Sequence, residues 1–216
     1  EPLQNKLEDY THNFNSNISV SILDDSGYFI VDINGETPRI PASNQKILSS
    51  AFSLDVLGPY YTLDTSLKRI NNGSLYIEAS GDPDFNKSHL EDLINDLNHT
   101  NYNSNSNLKL PILIKTSNKK NWWPSSWSYA DRKEEYGAPI TKYSLSSNAS
   151  INSLNNPIHN FIYELEKALE RENLLKKYFV KSVNENYPID YISTIKVINS
   201  APLYILLNLV NSESHN

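Results

Sequence analysis

The chain has 216 residues, with 38% hydrophobic and 20% charged residues and a formal net charge of −6. That is enough for one large domain or two modest ones, and it excludes a disordered polyelectrolyte. The acidic balance lacks the basic face that nucleic acid requires, and the absence of cysteine removes disulfides, thiolate metal sites and thiol nucleophiles.

Taken in chain order, residues 3–15 read as a short helix with Leu3, Leu7 and Tyr10 on one side. A hairpin follows. Ile18, Val20 and Ile22 alternate, Asp24 to Gly27 turn, and Tyr28, Ile30 and Val31 return. Pro38 and Pro41 break the extended stretch, and a helix beginning near Ser43 carries Ile47, Leu48, Phe52 and Leu54 at helical spacing until Gly58 and Pro59 stop it. Residues 62–79 form a second expected hairpin around the turn "NNG". "GDPDF" reads as a loop. "SHLEDLINDLNH" reads as an amphipathic helix capped by Ser88, with Glu91 completing a capping box.

The Asn-rich "NYNSNSNLK" is a loop with compositional bias, "LKLPILIK" a short strand, and "NWWPSSWSYADRKEEYGAP" an aromatic loop. The clearest helix is "NNPIHNFIYELEKALERENLL". Pro157 stands at its start, and Ile158, Phe161, Ile162, Leu165, Ala168 and Leu169 lie along one face. The chain closes with a strand, a Ser-Ala-Pro break and an apolar helix. These pieces give an α+β or α/β class. The longest apolar run, Pro202 to Val210, is too short to span a bilayer. The five histidines show no metal-ligand spacing, and no methionine stands at position 1. The expectation is a chain that begins after a cleavage, as removal of a signal peptide would leave it.

Ser43 and Lys46 form an S-x-x-K pair, but Ser106–Lys109, Ser117–Lys120 and Ser193–Lys196 have the same spacing. Context separates the first pair, because Ser43 alone opens a long apolar helix. There the Lys46 amine can approach the hydroxyl, and the helix N-terminus favours negative charge on the serine oxygen. A base at Lys46 must be a neutral amine, which calls for burial or a cationic neighbour. The competing reading is a serine cap followed by a solvated lysine.

Four ordered segments carry a family resemblance: "PASNQKILSSAFSLDVLGPYYTLDTSL", "NGSLYIEASGDPDF", "WPSSWSYADRKEEYGAPITKYSLSSN" and "NSAPLYILLNLVNSESHN". Together they resemble the D-Ala-D-Ala carboxypeptidases/endopeptidases of the class C low-molecular-mass penicillin-binding proteins. The resemblance implies an α+β penicillin-binding-protein/β-lactamase-like transpeptidase fold, incomplete at the C-terminus. Residues 1–65 and 146–216 would be its catalytic part, and 66–145 an inserted smaller α/β module.

By the same resemblance Ser43 would be the acylated nucleophile, with its backbone N–H as half of an oxyanion hole, and Lys46 the proton acceptor. Ser214 would relay a proton and Asn216 would position the substrate amide. Trp127, Asp131 and Tyr136 would belong to a pocket for the peptidoglycan stem side chain and its free amino end. The alternative for Trp122, Trp123 and Trp127 is that they close a small core.

The implied reaction is acyl transfer on a stem peptide ending in D-Ala-D-Ala, with no cofactor. β-Lactams would be covalent inhibitors and the location periplasmic or otherwise extracytoplasmic. The family's third motif, K/H-T/S-G, is not among the 216 residues, since none of the six glycines follows Lys-Thr or Lys-Ser. That departure leaves room for a non-catalytic peptidoglycan-binding protein or a truncated inactive homologue. A β-lactamase or Ser–Lys esterase is a further rival, without a glutamate placed to serve fast deacylation.

Overall fold

A computed structural model describes residues 2–98, 108–150 and 155–212; the side chains of residues 15 and 16 lie outside the description, as does most of the Asn-rich loop. The chain divides into two compact units, 1–45 and 46–216.

In the first unit, helix α1 (Leu3–Thr11) runs into a 3-10 turn at His12–Asn17, followed by strands β1 (Val20–Leu23) and β2 (Phe29–Ile33). The expected hairpin is present, with β1 and β2 antiparallel and Val20 opposite Ile33. Its turn forms because Asp24 Oδ1 accepts the N–H groups of Ser26 (2.8 Å) and Tyr28 (2.9 Å), while Gly27 takes φ 84°. Helix α1 is pinned to the free edge of β2 by one side chain. Gln4 Oε1 accepts the Asp32 N–H at 3.0 Å and Gln4 Nε2 donates to the Asp32 carbonyl at 3.3 Å, so a carboxamide stands where a strand's peptide group would.

The second unit is built on a five-stranded sheet in the order β6-β5-β4-β3-β7, from β3 (Asp64–Ile70), β4 (Leu75–Ala79), β5 (Leu110–Thr116), β6 (Tyr178–Asn184) and β7 (Tyr191–Asn199). β3 pairs antiparallel with both β4 and β7, and β4, β5 and β6 are parallel. Helix α2 (Gln45–Leu57) precedes the sheet. Helix α3 (Lys87–Asn95) joins β4 to β5, and α4 (Pro157–Arg171) lies between β5 and β6. Two successive crossovers of one hand must place their helices on one face of the sheet, and α3 and α4 do pack together against it.

Leu67, Leu75, Ile77, Ile112 and Ile114 from the strands meet Leu90, Leu93, Phe161, Leu165 and Leu169 from the helices, all essentially buried. The alternate strand positions, Lys68, Tyr76, Glu78 and Lys115, face the other way. The terminal helix α5 (Leu203–Ser212) is tied to the segment after α2: Leu203 N–H donates to the Tyr61 carbonyl (2.8 Å), Tyr204 N–H donates to that of Pro59 (3.1 Å), and Asn211 Nδ2 donates to Ser50 Oγ (3.0 Å).

Three local expectations change. The cap of α3 is Asn86, not Ser88: its Oδ1 accepts the N–H groups of Ser88 and His89, and His89 Nδ1 accepts the Asn86 N–H. Glu91, expected to reach back to the cap, pairs instead with Arg171 of α4. Strand β6, "YFVKSVN", was not expected at all. The α2 helix starts at Gln45, after a 3-10 turn at Ala42–Asn44, so Ser43 lies in the turn and not in the helix.

Candidate active site

Ser43 is exposed, and the residue before it, Ala42, has φ 47°. An alanine in the left-handed region carries strain of about 1–2 kcal/mol, of the kind that concentrates at functional positions. The turn closes on α2 through the Gln45 N–H, which donates to the carbonyls of Ala42 and Ser43. Lys46 is half-buried in the first turn of α2. The boundary between the two compact units falls between Gln45 and Lys46, so Ser43 belongs to the first and Lys46 to the second. Ser214 and Asn216 lie outside the described residues.

The aromatic residues fall into two roles. Trp122 belongs to the buried core, with Trp123 packed against it. Trp123 Nε1 donates to the Gly137 carbonyl at 2.8 Å, and Arg132 Nη2 donates to the Trp127 carbonyl at 3.2 Å, which folds the loop into a compact knot. Gly137 is required there, because a Cβ would collide with the Asp131 carbonyl oxygen. Trp127 and Tyr136 line a cleft of about 380 Å³. Asp131 accepts from the Tyr136 hydroxyl at 3.2 Å. Partial desolvation, and then the Asp131 carboxylate, push the Tyr136 phenol above its ordinary range. Structure thus brings Trp127, Asp131 and Tyr136 together, with a carboxylate beside aromatic rings that suits a cationic group.

The floor of the cleft is a feature that the sequence reading passed over. Ser146, Ser147 and Asn148 take φ values of 49°, 58° and 57° in succession. Asn148 is buried, and its Nδ2 donates to the Pro139 carbonyl (2.9 Å) and to Thr141 Oγ1 (2.9 Å). The run is anchored to the "GDPDF" loop, because the Ser146 N–H donates to the Phe85 carbonyl and the Ser147 N–H to the Pro83 carbonyl, both at 2.8 Å. Asp82 of that loop is buried, and burial raises its carboxyl above the usual range. A Ser-Ser-Asn run, with asparagine tolerant of the left-handed region, was the available signal. Among the described residues, no group of three or more His, Asp or Glu side chains is placed to hold a metal ion.

The fold is that of penicillin binding protein 4 (dacB) from Haemophilus influenzae. The likeness has a TM-score of 0.68 at 17% identity and covers 94% of this chain and 58% of that one. The structure of the same protein complexed with a novel β-lactam gives 0.57 at 18% identity, covering 94% and 56%. A predatory peptidoglycan endopeptidase from Bdellovibrio bacteriovorus is 20% identical over 81% of this chain and 46% of its own, but its TM-score of 0.41 is too low to argue from. The chain therefore spans less than two thirds of these solved relatives, and no curated protein matches it. The model of one peptidase family matches residues 3–162, from α1 into α4, and by that match the chain belongs to the D-Ala-D-Ala carboxypeptidase 3 (S13) family.

Proposed function

We propose that this chain carries the nucleophile region of a serine peptidase that cleaves peptidoglycan stem peptides ending in D-Ala-D-Ala in the periplasm. The observation that carries the reading is the family match across residues 3–162, which includes Ser43 and Lys46 at the entry to α2. In this reading Ser43 Oγ attacks the carbonyl carbon between the two D-alanines while its proton passes to Lys46 Nζ. The oxyanion is held in part by the Ser43 backbone N–H. The C–N bond breaks, the departing amine takes a proton through Ser214, and water hydrolyses the ester left on Ser43. Asn216 holds the substrate amide. Trp127, Asp131 and Tyr136 receive the amino end of the stem side chain, where a carboxylate beside aromatic faces stabilises a cation.

A β-lactam would be opened by the same serine and remain attached. Incubation with a fluorescent penicillin, followed by peptide mass mapping, tests the assignment. The adduct is expected on the peptide containing Ser43 and is expected to vanish in Ser43→Ala. Label that persists in that variant, or that maps elsewhere, overturns it.

A further inference from the structure

The three parallel strands end side by side. Ser80 follows β4, Ser117 follows β5 and Glu185 follows β6, and all three line a single groove outside the strand ends. Its two lobes, of about 350 and 450 Å³, share Ser80, Lys115, Lys142, Tyr143 and Glu185. The carboxyl ends of parallel strands are where open α/β sheets hold ligands, because the backbone splays there and leaves a crevice.

The charges in the groove do not cancel evenly. Glu185 is paired with Lys142 at 3.3 Å. Glu78, at the far lobe, is paired with Lys68 of the neighbouring strand. Lys115 is half-buried, and among the described residues it enters no ion pair; its ammonium lies 5.9 Å from the centroid of the Tyr76 ring. The backbone beneath it is fixed, since the Lys115 N–H donates to Tyr143 Oη (2.9 Å) and that hydroxyl donates to the Ile77 carbonyl (2.7 Å). Gly81 holds the opposite wall close, with φ 84° and a Cβ position only 3.4 Å from the Thr141 carbonyl oxygen. Hydroxyls of Ser80, Ser117 and Thr141 border the same space.

We propose that this groove is a second binding site, separate from chemistry at Ser43, which takes a single carboxylate on Lys115. One ammonium without a carboxylate partner among the described residues, with the Ser80 and Ser117 hydroxyls bordering the same space, matches one negative charge. The Glu78 and Glu185 carboxylates that line the same groove oppose a dianion such as phosphate more strongly than a single carboxylate. A peptide C-terminus and a sugar acid both present this group.

The test is a titration of the isotope-labelled 216-residue chain followed by amide NMR. The probes are N-acetylalanine for the peptide source, glucuronate for the sugar source, and N-acetylalaninamide and inorganic phosphate as contrasts. At least one of the two carboxylates is expected to give saturable shifts centred on residues 80–81, 115–117 and 141–143. The one that binds more tightly identifies the source. Lys115→Met should weaken it by about tenfold or more, as loss of a charge-assisted hydrogen bond requires, whereas Lys176→Met on the exposed surface should leave it unchanged. Glu185→Gln, which frees Lys142 from its partner, should tighten binding and does not depend on the folding of the Lys115 variant. Equal shifts from the amide, tighter binding of phosphate than of either carboxylate, saturation unaffected by Lys115→Met, or weaker binding in Glu185→Gln would each overturn the site.

Discussion

Helix α4 and, from Lys46 onward, helix α2 belong to the same compact unit and are both rich in apolar residues, yet they use them in opposite ways. Helix α4 buries Ile158, Phe161, Leu165, Ala168 and Leu169 against α3 and the sheet, and of its charged residues only Glu164 is buried with them, paired to Lys87. Helix α2 buries only Ser50 and exposes Ile47, Leu48, Phe52, Val56 and Leu57 by 46–69%. A sequence pattern says that a helix has apolar side chains, not that a surface exists to receive them. The layer built by α3, α4 and the five-stranded sheet supplies its own second surface, and the core lies between the two. The α2 region is held by hydrogen bonds at its ends and through Ser50, with little burial to add.

The sharpest way to break that contrast is to empty the core beneath α4. Phe161 stacks on Phe85 and meets Tyr143 edge-on, with ring centroids 6.3 and 5.3 Å apart. Phe161→Ala is expected to cost about 3–5 kcal/mol, the usual loss for a buried ring that leaves a cavity. Chemical denaturation followed by tryptophan fluorescence reads it. A loss below about 1 kcal/mol, the range of surface substitutions, would mean the layer is not the stability centre. Tyr143→Phe keeps the ring and removes the hydroxyl that bridges Ile77 and Lys115. Two buried backbone groups then lack a partner, at an expected cost of about 1–3 kcal/mol. Burial also holds the Tyr143 phenol far above its ordinary range, so this bridge should persist to high pH.

Legibility in the sequence follows the range of the interactions. Both hairpins could be read because their turns are local: an aspartate with glycine in one, "NNG" in the other. Helix α4 could be read from its proline start and its periodicity. The pairing of β3 with β7 joins residues more than 120 positions apart, Asp64 with Asn199, and nothing local encodes it. Strand β6 was missed because its alternation is faint: only Tyr178 and Val180 turn toward the core, while the apolar Phe179 is exposed and Val183 has the opposite parity.

The site divides similarly. The Ser43 segment and the Trp127–Tyr136 loop are each contiguous in the sequence, so both could be picked out as candidates. The cleft floor could not, because it depends on three left-handed residues docking on a loop more than 60 positions earlier.

Asn86→Ala sharpens the comparison at an intermediate scale. Loss of the cap should cost about 1 kcal/mol, within the range of N-cap substitutions. Ser88→Ala should cost less, although sequence preference alone would rank the two equally. Its hydroxyl only donates to Asn86 Oδ1. A larger effect at Ser88 would return the cap to that residue.

The smallest expected effect is on α2, and it is the most informative about what the helix is for. Phe52 is 69% exposed, so Phe52→Ala removes almost no buried area. Its cost in the 216-residue chain should stay within about 0.5 kcal/mol, as for surface positions without a partner. Since the exposed apolar face is also a route to self-association, Phe52→Ser together with Leu48→Ser should raise solubility without lowering the denaturation midpoint. A loss of about 2 kcal/mol or more at Phe52 would require a surface covering α2, and the contrast with α4 would then be one of partner rather than of stability. The contacts described for α2 that such a loss would have to be weighed against run from Ser50 to Asn211 and through the segment around Tyr61 to the start of α5.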